Sequence, residues 1–359
     1  MRGMALSQAP FWVVLTLSIA VPFATIALIV LVVRALTRAR REAGRLRTGE
    51  LFRLLGARLA GRIAGRDLRR AAARTEHEPF WDAVETMATH LRPRERRELA
   101  RELARSSHLA RERAVLSSPA PPERRERAAQ RLGMLPDARS RSALRRALVS
   151  GPPQVAFAAA RALARHRDLR ALRWVLEHPQ ALGTRPIPAL SGMLRGFGPA
   201  GRSLLLIALQ RGLPDTRLEC ACVDALGITR CRSARGAFDR RLSSPHLEVR
   251  VSAARALGRL GMAESTPALL MALTDAQWPV RAIAAQALGR LGASPAVDAL
   301  ADRLTDRAWW VRRHAAYALA AIGGDGVDAL CVIAARSPDP YAREMAREAL
   351  DHGEDRARA

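Results

Sequence analysis

The sequence predicts an all-α fold: an α-solenoid of about seven to eight helix pairs preceded by one N-terminal transmembrane helix. Three observations carry this expectation. A short motif returns every 31 residues in the C-terminal half, a run of 23 residues near the N-terminus carries no charge, and the composition is that of packed helices. Hydrophobic residues make up 49% of the chain but aromatics only 4%. Ala and Leu must therefore fill the core, which excludes most all-β folds. A length of 359 residues allows two or three globular domains or one long array, and the apolar fraction excludes a disordered chain.

The elements follow in order. Residues 1–10 are expected to be a short extracytoplasmic N-terminus. The uncharged run from Phe11 to Val33 is interrupted only by Thr16, Ser18, Thr25 and Pro22. As a helix it spans about 34 Å, against about 30 Å for a hydrocarbon core. A cleaved signal peptide is the competing reading. Its apolar region is usually roughly 7 to 15 residues and ends in a small-residue site, whereas this run ends in Val33-Arg34-Ala35-Leu36. Arg34, Arg38, Arg40, Arg41, Arg45 and Arg47 follow the run and only Arg2 precedes it. The positive-inside rule then predicts a single-pass protein of the inner (cytoplasmic) membrane, N-terminus out, with its C-terminal domain in the cytoplasm.

Residues 34–74 form a basic juxtamembrane segment with thirteen Arg against three acids. Leu51, Leu55, Leu59 and Ile63 recur every four residues beside a row of Arg58, Arg62 and Arg66, the pattern of a basic amphipathic helix. On a membrane surface Arg38, Arg41, Arg58, Arg62 and Arg66 would meet anionic lipid, each contributing about 1 kcal/mol. The alternative is that the leucine stripe packs on the first repeat and the Arg row is simply solvated. Both readings stand at this point.

Residues 75–352 are read as the solenoid and 353–359 as a polar tail. Val249-Arg250 returns as Val280-Arg281, Val311-Arg312 and Ala342-Arg343, and Leu257, Leu288 and Leu319 keep the same step. The series continues backwards through Leu226, Leu194, Leu163 and Leu132, while residues 78–110 are only loosely in register. Pro pairs and single Pro stand at the breaks between helices, where the missing N–H is tolerated. Ala253-Ala254 and Ala284-Ala285 let helices approach, and Gly261 ends a helix at a position suited to positive φ. Thr274-Asp275 and Thr305-Asp306 are placed to cap the next helix and approach its Arg, which makes Arg281 and Arg312 structural.

The unit Val280-Arg281-Ala282-Ile283-Ala284-Ala285-Gln286-Ala287-Leu288-Gly289-Arg290-Leu291-Gly292 resembles a HEAT repeat of the bacterial kind also found in phycobilisome lyases. The layout of anchor, basic stretch and HEAT-like solenoid resembles bacterial membrane-anchored HEAT-repeat proteins. That resemblance implies a scaffold for other proteins, such as a membrane glycosyltransferase. It also implies that the helix bearing Val-Arg lines the concave face. The period places Arg255, Arg259, Gln286, Arg290, Trp310, His314 and Tyr317 there as candidate partner-binding residues. Arg beside aromatics is a composition common in binding hot spots. The alternative is that Trp309 or Trp310 packs into the turn beneath its own repeat.

Catalytic signals are missing from the sequence. Cys220, Cys222, Cys231 and Cys331 lack metal-ligand spacing and read as buried free thiols. A HEAT hydroxylase would need repeated His-Glu pairs for iron, and His77-Glu78 stands alone. No phosphate-binding loop or nucleophile elbow appears. The expectation is a non-enzyme without catalytic, metal or cofactor-binding residues, binding a membrane-associated protein partner as a scaffold or adaptor. Nucleic acid is the alternative, through phosphate contacts of the kind HEAT-fold DNA glycosylases suggest. The net charge of +25 comes from Arg alone, which a GC-rich coding sequence equally produces. The predicted anchor and the 31 acids of residues 75–359 count against that alternative.

Overall fold

A computed structural model of the chain describes residue 31, residues 49–88 and residues 90–358. Among these residues there is helix and turn but no strand. The expected span at 11–33 lies, apart from Leu31, outside the described residues, as do Arg38 and Arg41. Among the described residues no helix is long and apolar enough to cross a membrane. A span needs about 20 successive apolar residues, whereas the 19-residue helix Pro340–Arg358 is charged along its length. The expected localisation as a single-pass inner-membrane protein is therefore corrected: no described helix supports it.

The chain divides into two compact units, Met1–Glu112 and Arg113–Ala359, so the division falls inside the stretch read as one solenoid. In the first unit, residues 49–59 form α1, followed by α2 (Gly65–Arg74), α3 (His77–Ala88) and α4 (Pro93–Leu103). Helix α5 (Ser107–Ser117) runs through the division. Leu51, Leu55, Leu68, Phe80, Trp81, Leu99, Leu103 and Leu109 are buried and form the core of this unit. The amphipathic helix read across 51–66 is broken in two. Gly61 adopts φ +73°, a conformation that terminates helices, and its N–H returns to the Arg58 carbonyl.

The second unit is two rows of helices. The A row comprises α6 (Pro122–Leu132), α8 (Pro153–Arg165), α10 (Ile187–Arg195), α12 (Thr216–Ile228), α14 (Leu247–Leu260), α16 (Trp278–Leu291), α18 (Trp309–Ile322) and α20 (Pro340–Arg358). The B row comprises α7 (Ala138–Ser150), α9 (Leu169–Glu177), α11 (Gly198–Arg211), α13 (Arg235–Arg241), α15 (Thr266–Ala272), α17 (Val297–Asp302) and α19 (Asp325–Arg336). Each A helix packs on the next one, from α6 to α20, and α7, α11, α13, α15, α17 and α19 pack on the A helix that follows them. One pair alone leaves its apolar face bare, so stacking is what builds the core.

Two devices repeat along the A row. The first is close approach: a Cβ placed on Gly227, Gly258 or Gly289 would lie 2.7–2.8 Å from the Cβ of Ala256, Ala287 or Ala318 on the next A helix. These glycines, and not only the alanine pairs, set the helix spacing. The second is an arginine clamp. Arg250 donates from Nε and Nη2 to Asp275 at 2.8 and 3.1 Å, and Arg281 donates likewise to Asp306 at 2.8 and 2.8 Å. The Asp carboxylates thus serve the Arg of the preceding repeat. To the loop before its own helix each Arg donates only at backbone carbonyls, Arg281 to that of Asp275 at 2.8 Å and Arg312 to that of Asp306 at 2.9 Å. Gly261 and Gly292 close α14 and α16 at φ +65° and +60°, as the sequence suggests.

Candidate functional site

A step of 31 residues puts Asp224, Arg255, Gln286, Tyr317 and Glu348 at one position of five successive A helices. Because those helices pack in order, the five residues form a row across them. The two ends of the row are occupied by internal bonds. Arg259 pairs with the Asp224 carboxylate of the preceding A helix. At the other end Glu348 Oε1 accepts from Tyr317 Oη at 2.9 Å and from Arg313 Nη1 at 3.0 Å.

The middle of the row is different. Arg255 and Gln286 are half-buried and Arg290 is exposed. Among the described residues none of these three side chains makes a hydrogen bond or an ion pair. Arg290 lies close enough to His314 to act on its titration. Burial first, then the charges of Arg313 and Arg290, hold His314 below the ordinary imidazole range.

Beside this basic stretch stands an aromatic cluster. Trp310 is 50% exposed and stacks on His314 with ring centroids 6.2 Å apart, while Trp309, 41% exposed, meets it edge-on at 4.7 Å. The alternative that these tryptophans are tucked into the turn is not what the structure shows. Arg313 lies over the rings of Tyr317 and Trp309, at 4.8 and 5.3 Å, and so braces the cluster. Sequence reasoning missed Arg313 and Glu348. The signal available was the 31-residue step from Tyr317 to Glu348, which continues the row into the last helix.

At the opposite end of the same face the N-terminal ends of α10, α12 and α14 line a cleft of about 690 Å³. Ile187, Arg217, Cys220 and Glu248 contribute to it. Arg217 and Glu248 are again 31 residues apart, and Trp310 stands two further steps along. The cleft and the aromatic cluster therefore occupy equivalent helix positions.

The other candidates sort as follows. Arg58 reaches back to α4, with Nη1 3.3 Å from Glu98 and Nη2 3.1 Å from Glu102. It is occupied inside its own unit. Arg62 is exposed in the turn after α1, and Arg66, on α2, lies 3.8 Å from Asp67. The three do not form one row, because the helix ends between them. Cys220 and Cys222 are buried, and burial pushes both thiols up; Cys331 is exposed, against the expectation of a buried thiol. No group of three His, Cys, Asp or Glu among the described residues is placed to hold a metal.

Residues 203–282 and 266–351 match the family model for HEAT repeats. Residues 203–351 thus carry HEAT repeats. No curated protein matches it significantly. Among solved structures, the chain is similar to human deoxyhypusine hydroxylase in complex with glycerol, at 22% identity over 69% of this chain and 96% of that one, with a TM-score of 0.30. An engineered protein is similar at 19% identity, covering 85% and 89%, with a TM-score of 0.36. A chain from the complex of Kap95p with RanGDP is similar at 13% identity, covering 79% of this chain and 46% of that one, with a TM-score of 0.45. These likenesses concern fold. The membrane-anchored and phycobilisome-lyase-like refinements of the resemblance find no support in them.

Proposed function

We propose that this HEAT-repeat protein is a non-enzymatic scaffold that captures a partner protein on the exposed face of its A row, through an acidic segment of that partner. One observation carries the reading: Arg255 and Arg290 lie on this face without an acid of their own, and Arg290 stands close to His314, on which the half-exposed Trp310 stacks. In the arginine clamps, by contrast, Arg250 and Arg281 each hold a carboxylate, that of Asp275 and that of Asp306. A guanidinium left without one is a ready partner for a carboxylate, and a bidentate pair adds direction as well as energy. The aromatic cluster supplies the apolar area that charge pairs alone do not give. No residue on this face speaks to a glycosyltransferase as the partner.

Nucleic acid is served less well. Asp224 on α12, Glu248 on α14, and Glu344 and Glu348 on α20 stand along the same A row and interrupt any continuous phosphate track. The test is fluorescence anisotropy of a labelled Glu-rich peptide containing one Phe, against a labelled DNA duplex, at physiological salt. The expected result is peptide binding that weakens about tenfold or more in Trp310→Ala and in Arg255→Gln with Arg290→Gln, with thermal stability unchanged. Tight duplex binding with no peptide binding would overturn the reading.

A further inference from the structure

The first unit contains a chain of three hydrogen bonds unrelated to the A-row face. His77, at the start of α3, places Nε2 2.8 Å from Glu112 Oε1 and Nδ1 3.2 Å from Nδ1 of His108, both partners on α5. His108 in turn places Nε2 3.0 Å from the carbonyl oxygen of Ala72 on α2. The chain is enclosed: His108 and Glu112 are buried, and the His77 side chain is 15% exposed. His108 stacks on Phe80 at 4.1 Å, and His77 meets Trp81 edge-on at 6.5 Å.

Counting hydrogens fixes the charge state. The Ala72 carbonyl only accepts, so His108 Nε2 carries a hydrogen. A second hydrogen must lie between the two Nδ1 atoms and a third between His77 Nε2 and Glu112. Two neutral imidazoles supply two hydrogens and a carboxylate supplies none. The arrangement therefore holds one proton more than its neutral rings and ionised acid provide. An imidazolium facing a carboxylate, or two neutral rings facing a carboxylic acid, are two descriptions of one shared proton. Among the groups facing the chain are Arg111 on α5, the Ala72 carbonyl from α2, and Phe80 and Trp81 on α3.

We propose that this shared proton is a latch that ties α2, α3 and α5 together and opens as the pH rises above neutrality. With the proton gone, two acceptors face each other across one of the three contacts and that bond cannot form. Burial first, and then the charges of His77 and Arg111, hold His108 below the ordinary imidazole range, while its bond to Ala72 and Glu112 oppose this. The sign follows from proton counts. Below about pH 6.5 the unfolded chain binds four protons on these groups against three in the fold, so stability rises with pH. Above it the unfolded chain binds two against three, so stability falls with pH.

Glu112→Gln tests this directly, because its amide N–H₂ donates to His77 Nε2 and completes the chain with neutral rings and no added proton. The experiment is hydrogen exchange of the full chain followed by mass spectrometry from pH 6 to 9, corrected for intrinsic exchange, reading peptides from α3 and α5. In the wild type the local opening constant should rise about tenfold per pH unit above pH 7 relative to Glu112→Gln, with α14 to α18 unaffected. Equal slopes in the two proteins would overturn the latch. If Glu112→Gln does not fold, nitrogen-15 histidine and carbon-13 carboxyl spectra of the wild type at pH 7.5 decide. An imidazolium or a protonated Glu112 supports the proposal, and two neutral rings beside an ionised carboxylate overturn it.

Discussion

Arg281 binds the Asp306 carboxylate with two nitrogens, Nε and Nη2, each at 2.8 Å, while its third nitrogen donates to the carbonyl of Asp275 at 2.8 Å. One guanidinium thus joins the loop before its own helix to the loop of the following repeat. Arg250 does the same one repeat earlier with Asp275. At the next step Ser337 stands where an Asp would be required, and Arg312 instead lies over the Tyr341 ring at 5.2 Å. The clamp therefore ends with the array.

Removing Asp306 should be costly because it strands the mostly buried charge of Arg281. Asp306→Ala is expected to lose about 3–5 kcal/mol, the range for breaking a buried pair by deleting one partner. Burial pushes the Asp306 carboxyl up, but hydrogen bonds from Arg281 and the Ala308 N–H and the Arg charges carry it below the usual carboxylate range. A depressed acid contributes stability above its unfolded pKa of about 3.9 and loses it as pH falls through the folded value. Urea unfolding of wild type and Asp306→Ala should accordingly differ most near neutrality and converge in acid below about pH 4. A constant difference down to pH 3 would show that charge is not the cause.

Helix spacing gives the second prediction. A Cβ on Gly289 would meet Ala318 Cα at 2.6 Å and Cβ at 2.7 Å. Gly289→Ala should therefore destabilise by about 1–3 kcal/mol through overpacking, although Ala is the better helix former by about 1 kcal/mol. Adding Ala318→Gly should not restore the loss, because the backbone Cα itself is in the way. Thermal melts of the single and double variants check this, and full rescue by the double would place the clash in the side chain alone.

The period of 31 made the helical array, its A-row face and its positive-φ glycines legible, because each follows from which residue recurs. What it could not show was which partner a recurring polar group takes. Asp275 does accept from the Gln277 N–H at the start of α16, as a cap for its own repeat would, yet the arginine its carboxylate binds is Arg250 of the preceding repeat. Tyr317 was grouped with Trp310 and His314 as partner-binding. Its hydroxyl is committed to Glu348, so Tyr317→Ala would disturb the fold, and Trp310→Ala is the cleaner probe of binding. The leucine stripe of 51–63 ran across a helix end, since a fourfold spacing carries no mark of the left-handed Gly61. His77 had only Glu76 and Glu78 as visible neighbours. Its contacts at His108 and Glu112 come from more than 30 residues away and depend on how α3 and α5 meet.

The last prediction concerns a second buried imidazole. His166 follows α8 and bonds through Nε2 to the Leu132 carbonyl at 3.1 Å, which joins successive A helices α6 and α8. That bond requires a hydrogen on Nε2, which the neutral ring supplies. Burial, reinforced by the charge of Arg141, lowers its pKa to about 4. A His with a depressed folded pKa binds fewer protons folded than unfolded. Its contribution is therefore intact above about pH 6.5, and it is lost progressively as pH falls toward the folded value, by up to about 3 kcal/mol. His166→Gln keeps a hydrogen-bond donor without the titration. Denaturant midpoints from pH 7 to 4.5 should fall less steeply in His166→Gln than in wild type, with the gap opening below pH 6.5. Parallel pH profiles would mean that the ring stays neutral in the unfolded chain or charges freely in the folded one, and would remove His166 from the account of acid sensitivity.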